Sequence, residues 1–187
     1  MAFLSQAQLE AMNFKKLGKN VKISDKATIY YPEQVEIGDH SRVDDFSVLS
    51  GNLKIGRYIH ITPMCALAGG EEGIEIGDFA GMAWGTRIFT QSDDYTGETM
   101  ISSLIPEKYK NVYKARVIIG RHVTMGANTV ILPGVHVAEG CSIGAMTLVL
   151  KSTTPWGIYV GVPAKRIKEK SRNVLEIEKQ FNADMAE

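Results

Sequence analysis

Aliphatic residues recur at every sixth position along most of this chain. The register begins at Ile37, resumes at Ile76 and resumes again at Ile119. A period of six fits neither a helix nor an ordinary hairpin sheet, and it is typical of a solenoid of short parallel strands. We therefore predict triangular coils in which each hexad forms one side and its lead aliphatic fills the interior. The lead positions are Ile37, Val43, Leu49, Ile55, Ile61, Leu67, Ile76, Met82, Ile88, Ile119, Met125, Ile131, Val137, Ile143 and Val149.

A second series of mostly small or β-branched residues follows four positions after these lead aliphatics. We expect its members to fit near the corners of the coils. Glycine often follows the lead aliphatic, as at Gly38 and Gly56, and we expect it to supply turn conformations that strain other residues. The second series is Ser41, Ser47, Cys65, Ala80, Thr86, Ser92, Val123, Thr129, Val135, Cys141, Thr147 and Thr153.

Two segments interrupt the period. The shorter one, residues 69–73, is rich in glycine and is predicted to be a corner loop. The longer one separates Ile88 from Ile119 and carries no hexad pattern. Because long loops in a regular scaffold usually carry function, we predict a functional loop extruded over about residues 89–116.

The flanks of the solenoid differ in pattern from its body. Ser5 is a candidate N-cap for a short helix that ends near Met12, so residues 1–16 are predicted to be a helical segment. The β-helix is predicted over 17–163. A helix is predicted over 164–187 because Ile167, Val174, Ile177 and Phe181 share one helical face. We expect the whole chain to form a single domain.

Composition narrows the class of protein. The 187 residues are 44% hydrophobic and carry a formal net charge of zero, which argues against partners such as nucleic acid or a membrane surface. The N-terminus has no secretory pattern, and no apolar run approaches the length of a membrane span. Cys65 and Cys141 fall in the small-residue series and are predicted to be buried thiols, which is consistent with the cytoplasm.

Positive charge is concentrated between residues 151 and 172. Such a run is either a solvated surface or an anion site, and the sequence alone leaves both open. Its cations, set against the single acidic residue Glu169, are Lys151, Lys165, Arg166, Lys168, Lys170 and Arg172.

The hexads, the long loop and the segment IGAMTLVLKSTTPWGIYVGVPAKRIKE together resemble the left-handed β-helix acyltransferases that use acyl-CoA. The closest resemblance is to bacterial sugar O- and N-acetyltransferases, especially those that acylate a nucleotide-linked 4-amino-4,6-dideoxy sugar. The resemblance implies an all-β, left-handed parallel β-helix and a homotrimer with active sites between subunits. It also implies acetyl-CoA or another short acyl-CoA as co-substrate, with no metal.

The resemblance assigns coenzyme A contacts to six positions. Small side chains leave backbone groups accessible to the pantetheine amides, and lysines suit the adenosine phosphates. Carried over position by position, the contacts are Ala127 and Ala145 beside the pantetheine, Leu150 and Lys151 further along, and Lys165 and Lys168 near the phosphates.

The candidate catalytic residue departs from the pattern of the family. Sugar-hydroxyl acetyltransferases have a histidine at the start of the large loop, where this chain has Asp93. A hydroxyl needs a base as it attacks, whereas a neutral amine needs only orientation and an acceptor for the proton it releases. Asp93 therefore favours an amino-sugar acceptor, and Asp94 either fills the same role or holds the geometry of Asp93. Alternatively, the pair only caps the loop turn.

Five further residues are candidates for contact with the acceptor. They carry polar or ionisable groups, either on outward-looking coil positions or in the loop. The acceptor candidates are Asp44, Asp45, His60, His122 and Tyr95.

Four functions compete for this sequence. N-acylation of a nucleotide-linked amino sugar in surface-glycan biosynthesis is the leading hypothesis, and O-acetylation of a sugar or glycan is the second. A non-catalytic hexapeptide module would need neither the long loop nor the basic end. A γ-class carbonic anhydrase would need two histidines five residues apart, and the chain has no such pair.

Overall fold

The computed structural model describes residues 2–185, and these form a triangular solenoid whose three faces are sheets of parallel strands, with one antiparallel strand at the end of the second face. The first face contains Lys16–Leu17, Val35–Ile37, Leu53–Ile55, Ile74–Ile76, Val117–Ile119 and His136–Val137. The second face contains Lys22–Ile23, Arg42–Val43, His60–Ile61, Gly81–Met82, Thr124–Met125, Ser142–Ile143, Gly157–Val160 and Lys165–Glu169. The third face contains Thr28–Tyr30, Val48–Ser50, Ala66–Ala68, Arg87–Phe89, Val130–Ile131 and Leu148–Val149.

The lead aliphatics stack in register inside the solenoid. On the first face, Ile55 pairs with Ile37 on one side and Ile76 on the other. All fifteen predicted lead residues are buried, with relative exposures of 4% or less. The six-residue period therefore predicted the core correctly, because each coil places every sixth side chain at an equivalent interior position.

The second series lies at the corners and ties adjacent coils together. Ten of its twelve members are buried, and Ser92 and Thr153 are half-buried. The Ser41 hydroxyl donates to the Gly56 carbonyl at 2.9 Å, and the Ser47 hydroxyl donates to the Thr62 carbonyl at 3.0 Å. These bonds satisfy polar groups that burial would otherwise penalise.

The glycines that follow the lead aliphatics have a different role from the one expected. Gly38 does not adopt a positive φ, but a Cβ atom there would lie 2.6 Å from the Gly56 carbonyl carbon in the next coil. Close backbone approach, not turn conformation, requires glycine at this position. The left-handed conformation occurs two residues later, at His40 and its counterpart Tyr58.

Aromatic rings form a ladder along the corner between the first and second faces. His40, Tyr58, Phe79 and His122 all have φ values between 55° and 60°, and their rings stack in that order at centroid distances of 4.8, 5.1 and 5.3 Å. Phe181 of the C-terminal helix meets the Tyr58 and Phe79 rings edge-on. The ladder is therefore where the helix docks on the coils.

The long interruption forms a loop that leaves the third face after Phe89 and returns to the first face at Val117. An antiparallel pair closes its base, with Gln91 opposite Lys114 and Ser92 opposite Tyr113. The strands of this pair are Gln91–Ser92 and Tyr113–Lys114, and the 3-10 turn Glu107–Tyr109 lies between them. The shorter insertion at 69–73 is a corner turn, as predicted.

The predicted C-terminal helix begins later than expected. Residues Lys165–Glu169 form an antiparallel strand against Gly157–Val160, and the helix occupies Val174–Asp184. The reason is that the last coil exposes a strand edge, which a returning segment can cover by pairing its backbone. Residues 1, 186 and 187 of the two predicted terminal segments lie outside the described range.

The N-terminal helix and the cysteines agree with expectation. The helix Gln6–Ala11 has Ser5 as its N-cap in a capping box with Gln8, and a further 3-10 turn spans Pro32–Gln34. Both cysteines are buried and unpaired, and burial raises the pKa of the Cys65 thiol. Within residues 2–185, no helix has the length and apolar character needed to cross a membrane.

Candidate active site

A cavity of about 660 Å³ lies between the third face and the base of the loop. Phe89 and Leu132 line it from the coils, because outward positions of successive third-face strands lie side by side. The loop supplies polar groups to the opposite wall. These are Gln91, Ser92, Asp93, Tyr95, Ser103, Glu107, Lys110 and Lys114.

The two neighbouring aspartates have different environments. Asp93 is exposed and lines the cavity. Asp94 accepts hydrogen bonds from the Thr96 amide at 2.8 Å, the Thr96 hydroxyl at 2.7 Å and the Thr99 hydroxyl at 2.8 Å. The hydroxyl and amide of Thr96, together with the Thr99 hydroxyl, hold the pKa of Asp94 below its usual range. The Asp94 carboxylate therefore stabilises the turn through its hydrogen bonds, whereas the Asp93 carboxylate faces the cavity.

Two lysines bring positive charge to the same cavity. The Lys110 side chain is only 6% exposed, and its ammonium lies 2.8 Å from the largely exposed Glu107 carboxylate. Lys114 stands at the neck of the loop, 3.6 Å from Glu71. The sequence analysis did not single out either lysine as a site residue, because neither belongs to a motif on which the family resemblance rests.

Asp44, Asp45 and His60 lie on early coils and outside the cavity lining. The buried Asp44 carboxylate lies 2.8 Å from His60 Nε2 and also accepts from Arg42, while Asp45 accepts from Ser24. Burial opposes ionisation of Asp44, but the hydrogen bonds from Arg42 and His60 prevail and lower its pKa. Half of the His60 side chain remains exposed. The pair is a carboxylate-oriented imidazole on the second face.

His122 lies beneath the C-terminal helix. Its Nε2 atom is 2.7 Å from Glu178 Oε2, its ring stacks on Phe79, and it is only 6% exposed. Arg121 also pairs with Glu178. These contacts indicate a role in docking the helix, because they leave little of the ring accessible to substrate.

The predicted coenzyme A residues follow one end of the solenoid. Ala127 and Ala145 occupy equivalent turns on adjacent coils, as the 2.8 Å bond from the Met146 amide to the Ala127 carbonyl indicates. Neither alanine amide donates a hydrogen bond within residues 2–185, so both offer donors to a ligand. Leu150 and Lys151 follow the last third-face strand and are exposed.

Lys165 and Lys168 project from the strand that covers the end of the second face. Both side chains are exposed, and neither ammonium has an ion-pair partner in the described part of the chain. Free amides along the coils and free cations at their end suit the amide-containing arm and the phosphates of coenzyme A, respectively. Residues 2–185 contain no group of three or more His, Cys, Asp or Glu side chains that could hold a metal ion.

Comparison with known proteins identifies close relatives. The chain is 38% identical over 184 residues to dTDP-4-amino-4,6-dideoxy-D-glucose acyltransferase of Escherichia coli, covering 97% of this chain and 95% of the relative. A second Escherichia coli relative, named as the lipopolysaccharide biosynthesis O-acetyl transferase WbbJ, is 27% identical over 155 residues, covering 79% and 74% of the two chains. No protein-family model matches the chain.

Solved structures agree with this relationship. AntD, an N-acyltransferase from Bacillus cereus in complex with dTDP and 3-hydroxybutyryl-CoA, superposes with a TM-score of 0.98 at 44% identity, covering 99% of this chain and 98% of AntD. A variant of AntD in complex with dTDP-4-amino-4,6-dideoxyglucose and coenzyme A gives a TM-score of 0.97 at 44% identity, covering 98% of both chains. The chain therefore belongs to the hexapeptide-repeat β-helix acyltransferase family that includes the dTDP-4-amino-4,6-dideoxy-D-glucose acyltransferase.

Proposed function

We propose that this protein transfers an acetyl or other short acyl group from acyl-CoA to the amino group of a nucleotide-linked 4-amino-4,6-dideoxy sugar. One observation carries the proposal: the Asp93 carboxylate faces a polar cavity at the base of the loop. The similarity to an amino-sugar acyltransferase over 97% of the chain supports the same acceptor. Surface-glycan biosynthesis is the process that such a product would serve.

Asp93 handles the proton in this reaction. The carboxylate binds and orients the amino group, whose neutral form attacks the thioester carbonyl. A carbon–nitrogen bond forms, the carbon–sulfur bond breaks, and the amine proton passes to Asp93. The departing thiolate then takes up that proton, so the protein returns to its starting state.

The donor lies along the corner between the second and third faces. The Ala127 and Ala145 amides donate to the pantetheine arm, and Leu150 covers apolar surface beside it. Lys151, Lys165 and Lys168 hold the phosphates through charge-assisted contacts. Tyr95 contacts the acceptor at the mouth of the cavity.

The active protein is a homotrimer with active sites between subunits. The corner that carries the two alanines also exposes large apolar side chains, and water contact at such a ridge is unfavourable. A neighbouring solenoid would cover the ridge and exclude water from the thioester. The ridge consists of Phe46, Met64, Trp84 and Met146, each 57–65% exposed. The buried thiols and the nature of the substrates favour a cytoplasmic location.

O-acetylation of a sugar hydroxyl is the second candidate. The observation in its favour is the Asp44–His60 pair, because a carboxylate-oriented imidazole is the base that a hydroxyl nucleophile needs. In this reaction Asp44 and Asp45 would organise the site around His60.

One assay separates these functions. The protein is incubated with acetyl-CoA and matched pairs of dTDP and UDP sugars that carry either an amine or a hydroxyl at C4, and thiol release is followed. We expect release with the 4-amino sugars and a product mass increased by one acetyl group. Release only with hydroxyl sugars would select O-acetylation, and the absence of release with every acceptor would favour a structural module.

A further inference from the structure

The strand Lys165–Glu169 is held in place by few contacts of its own. All five of its residues are exposed, and within residues 2–185 it pairs on one side only, with Gly157–Val160. The register of this pairing shifts between Ile158 and Tyr159. A segment without buried side chains has little local stability. The position of the strand therefore depends on how its two ends are anchored.

Both ends are tied to the coils by hydrogen bonds. At the first end, the Ala164 amide donates to the Leu148 carbonyl at 2.8 Å, and Ala164 packs against the core. Lys170 anchors the second end at two points. Its amide donates to the Trp156 carbonyl at 2.7 Å, and its ammonium donates to the His122 carbonyl at 3.1 Å. The side chain of one residue thus joins the end of the strand to an earlier coil.

Lys170 lies far from the corner along which the donor is proposed to bind. His122 and Trp156 both belong to the corner between the first and second faces, with the coil of Gly140 between them. The donor is proposed to follow the corner between the second and third faces. Five residues of extended chain place the Lys170 backbone roughly 16 Å from that of Lys165. Lys170 can therefore influence the donor through the strand but not by direct contact with the phosphates held at Lys165.

The burial of Lys170 also distinguishes it from its neighbours. Of the six cations in the described segment 151–172, Lys170 alone is half-buried. Burial lowers the pKa of Lys170, because the charged form loses solvation. A methionine of similar length would fill the same space without this cost. The feature that methionine lacks is the hydrogen bond to His122.

We propose that Lys170 is a positioning residue for the acyl donor, because its bond to the His122 carbonyl fixes the strand that carries Lys165 and Lys168. The inference rests on the proposed function, since it takes these two lysines as the phosphate contacts. Without the bond, the two lysines would sample more positions, and binding of the donor would have to restrict them at a cost in affinity.

The C-terminal helix has separate contacts that do not involve Lys170. Glu178 lies 2.7 Å from the His122 ring, and the Phe181 ring meets the aromatic ladder edge-on. Loss of the Lys170 ammonium should therefore leave the helix docked and the protein folded, which thermal melts can verify.

The test measures binding of coenzyme A, without acceptor, by titration calorimetry. We expect Lys170→Met to weaken binding about fivefold, because two long side chains lose their preorganisation. Lys179→Met is the matched control, because it removes the same charge from an exposed position on the following helix. Amide hydrogen exchange over residues 165–169 should become faster in Lys170→Met and stay unchanged in the control.

A double-mutant cycle separates positioning from the charge of Lys170 itself. The affinity for coenzyme A is measured in Lys165→Met/Lys168→Met, with and without Lys170→Met. A positioning role predicts almost no further loss from Lys170→Met in this background, because the groups that it positions are gone. A full additional fivefold loss would show that Lys170 acts through its own charge and would overturn the inference.

The remaining outcomes distinguish this inference from the proposed function. Equal affinity for coenzyme A in Lys170→Met and Lys179→Met, with weaker binding by Lys165→Met/Lys168→Met, would remove the inference and leave the proposed donor site standing. Wild-type affinity in Lys165→Met/Lys168→Met would remove both. Lys170-dependent binding of coenzyme A that follows the cycle, without thiol release from any acceptor, would retain the inference and remove the proposed reaction.

Discussion

The loop base and the basic C-terminal end both carry charge where the six-residue period stops, but they present it differently. At the loop base, Lys110 is almost fully buried and Lys114 is partly covered, and both line a cavity with Asp93. At the C-terminal end, Lys165 and Lys168 are exposed on a strand without ion-pair partners in residues 2–185. Charges of both signs around one cavity can select a ligand by its shape and charge pattern. Exposed cations attract any phosphate within a Debye length, which is about 10 Å at 0.1 M salt.

This difference indicates a division of labour between the two regions. Under the proposed function, the loop base would discriminate among acceptors and accept the proton, whereas the C-terminal end would retain a donor whose phosphates remain near solvent. The comparison predicts that loop variants alter turnover or acceptor affinity and that C-terminal variants alter donor affinity. One variant at each region tests this division, and a third variant tests how the C-terminal helix is held; they follow in order of decreasing effect.

Replacing the proposed proton acceptor, Asp93, should have the largest effect. Asp93→Asn preserves the size of the side chain but removes the proton acceptor, so we expect kcat to fall roughly 10²–10⁴-fold with little change in the KM for acyl-CoA. Steady-state kinetics with the 4-amino sugar measures both constants. Near-normal turnover at neutral pH would exclude Asp93 as the proton acceptor.

Asp94→Asn is the matched control for this change. The asparagine keeps an acceptor oxygen for the Thr96 amide and hydroxyl, so the turn should survive. We expect a smaller loss of kcat than in Asp93→Asn. A larger loss in the control would transfer the proton-accepting role to Asp94.

Reversing charge at the C-terminal end should have an intermediate effect. The double variant Lys165→Glu/Lys168→Glu should raise the KM for acyl-CoA about tenfold and leave the acceptor KM nearly constant, because charge-assisted contacts to phosphate are replaced by repulsion. The wild-type donor KM should also rise with salt. Lys19→Glu/Lys179→Glu carries the same change in net charge on other parts of the surface. An equal rise in that control would show that the effect comes from net charge.

The smallest effect concerns the docking of the C-terminal helix. Burial raises the pKa of Glu178, but the hydrogen bond from His122 and the charge of Arg121 prevail, so its pKa lies below the usual 4.5. A carboxylate with a lowered pKa stabilises the fold above the pKa it has when unfolded, and the stabilisation is lost as pH falls through the folded-state pKa. Glu178→Gln should therefore lower the free energy of unfolding by about 1 kcal/mol at pH 7. The difference between the two proteins should shrink as the pH falls below 4.5 and through the lower pKa of the folded state.

Glu176→Gln is the control on the same helix. Glu176 pairs only with Lys179, and both side chains are mostly exposed, so its replacement should have little effect. Chemical denaturation of both variants between pH 3 and pH 7 provides the measurement. Equal stability losses in the two variants would show that the contact with His122 contributes nothing specific.

Prediction from sequence was accurate wherever one residue type repeats in one environment. The lead aliphatics, the small corner residues and the position of the loop were all predicted correctly. The strand Lys165–Glu169 was missed because its charged and apolar residues fit a helix equally well, and only the open edge of Gly157–Val160 favours a strand. The role predicted for the glycines was also wrong. Gly38 is required by the close approach of the adjacent coil, and the left-handed turn conformation occurs two residues later, at His40.

Within the candidate site, the sequence proposed Asp93 and Asp94 together and could not distinguish the environments of the two carboxylates. The distinction depends on Thr96 and Thr99, because the fold of the loop lets both residues donate hydrogen bonds to the Asp94 carboxylate. His122 was an acceptor candidate because its place in the hexad is outward, yet a helix more than fifty residues later covers it.

The sequence by itself determined the solenoid, its interior and the place of the extruded loop, because burial of every sixth side chain is a local rule that each hexad repeats. Only the tertiary structure decided which polar groups face a cavity and which form hydrogen bonds or ion pairs within the protein. Those contacts join residues far apart in the chain, such as Lys114 with Glu71 and Glu178 with His122. Their strength depends on distance and burial, which the periodic pattern does not encode.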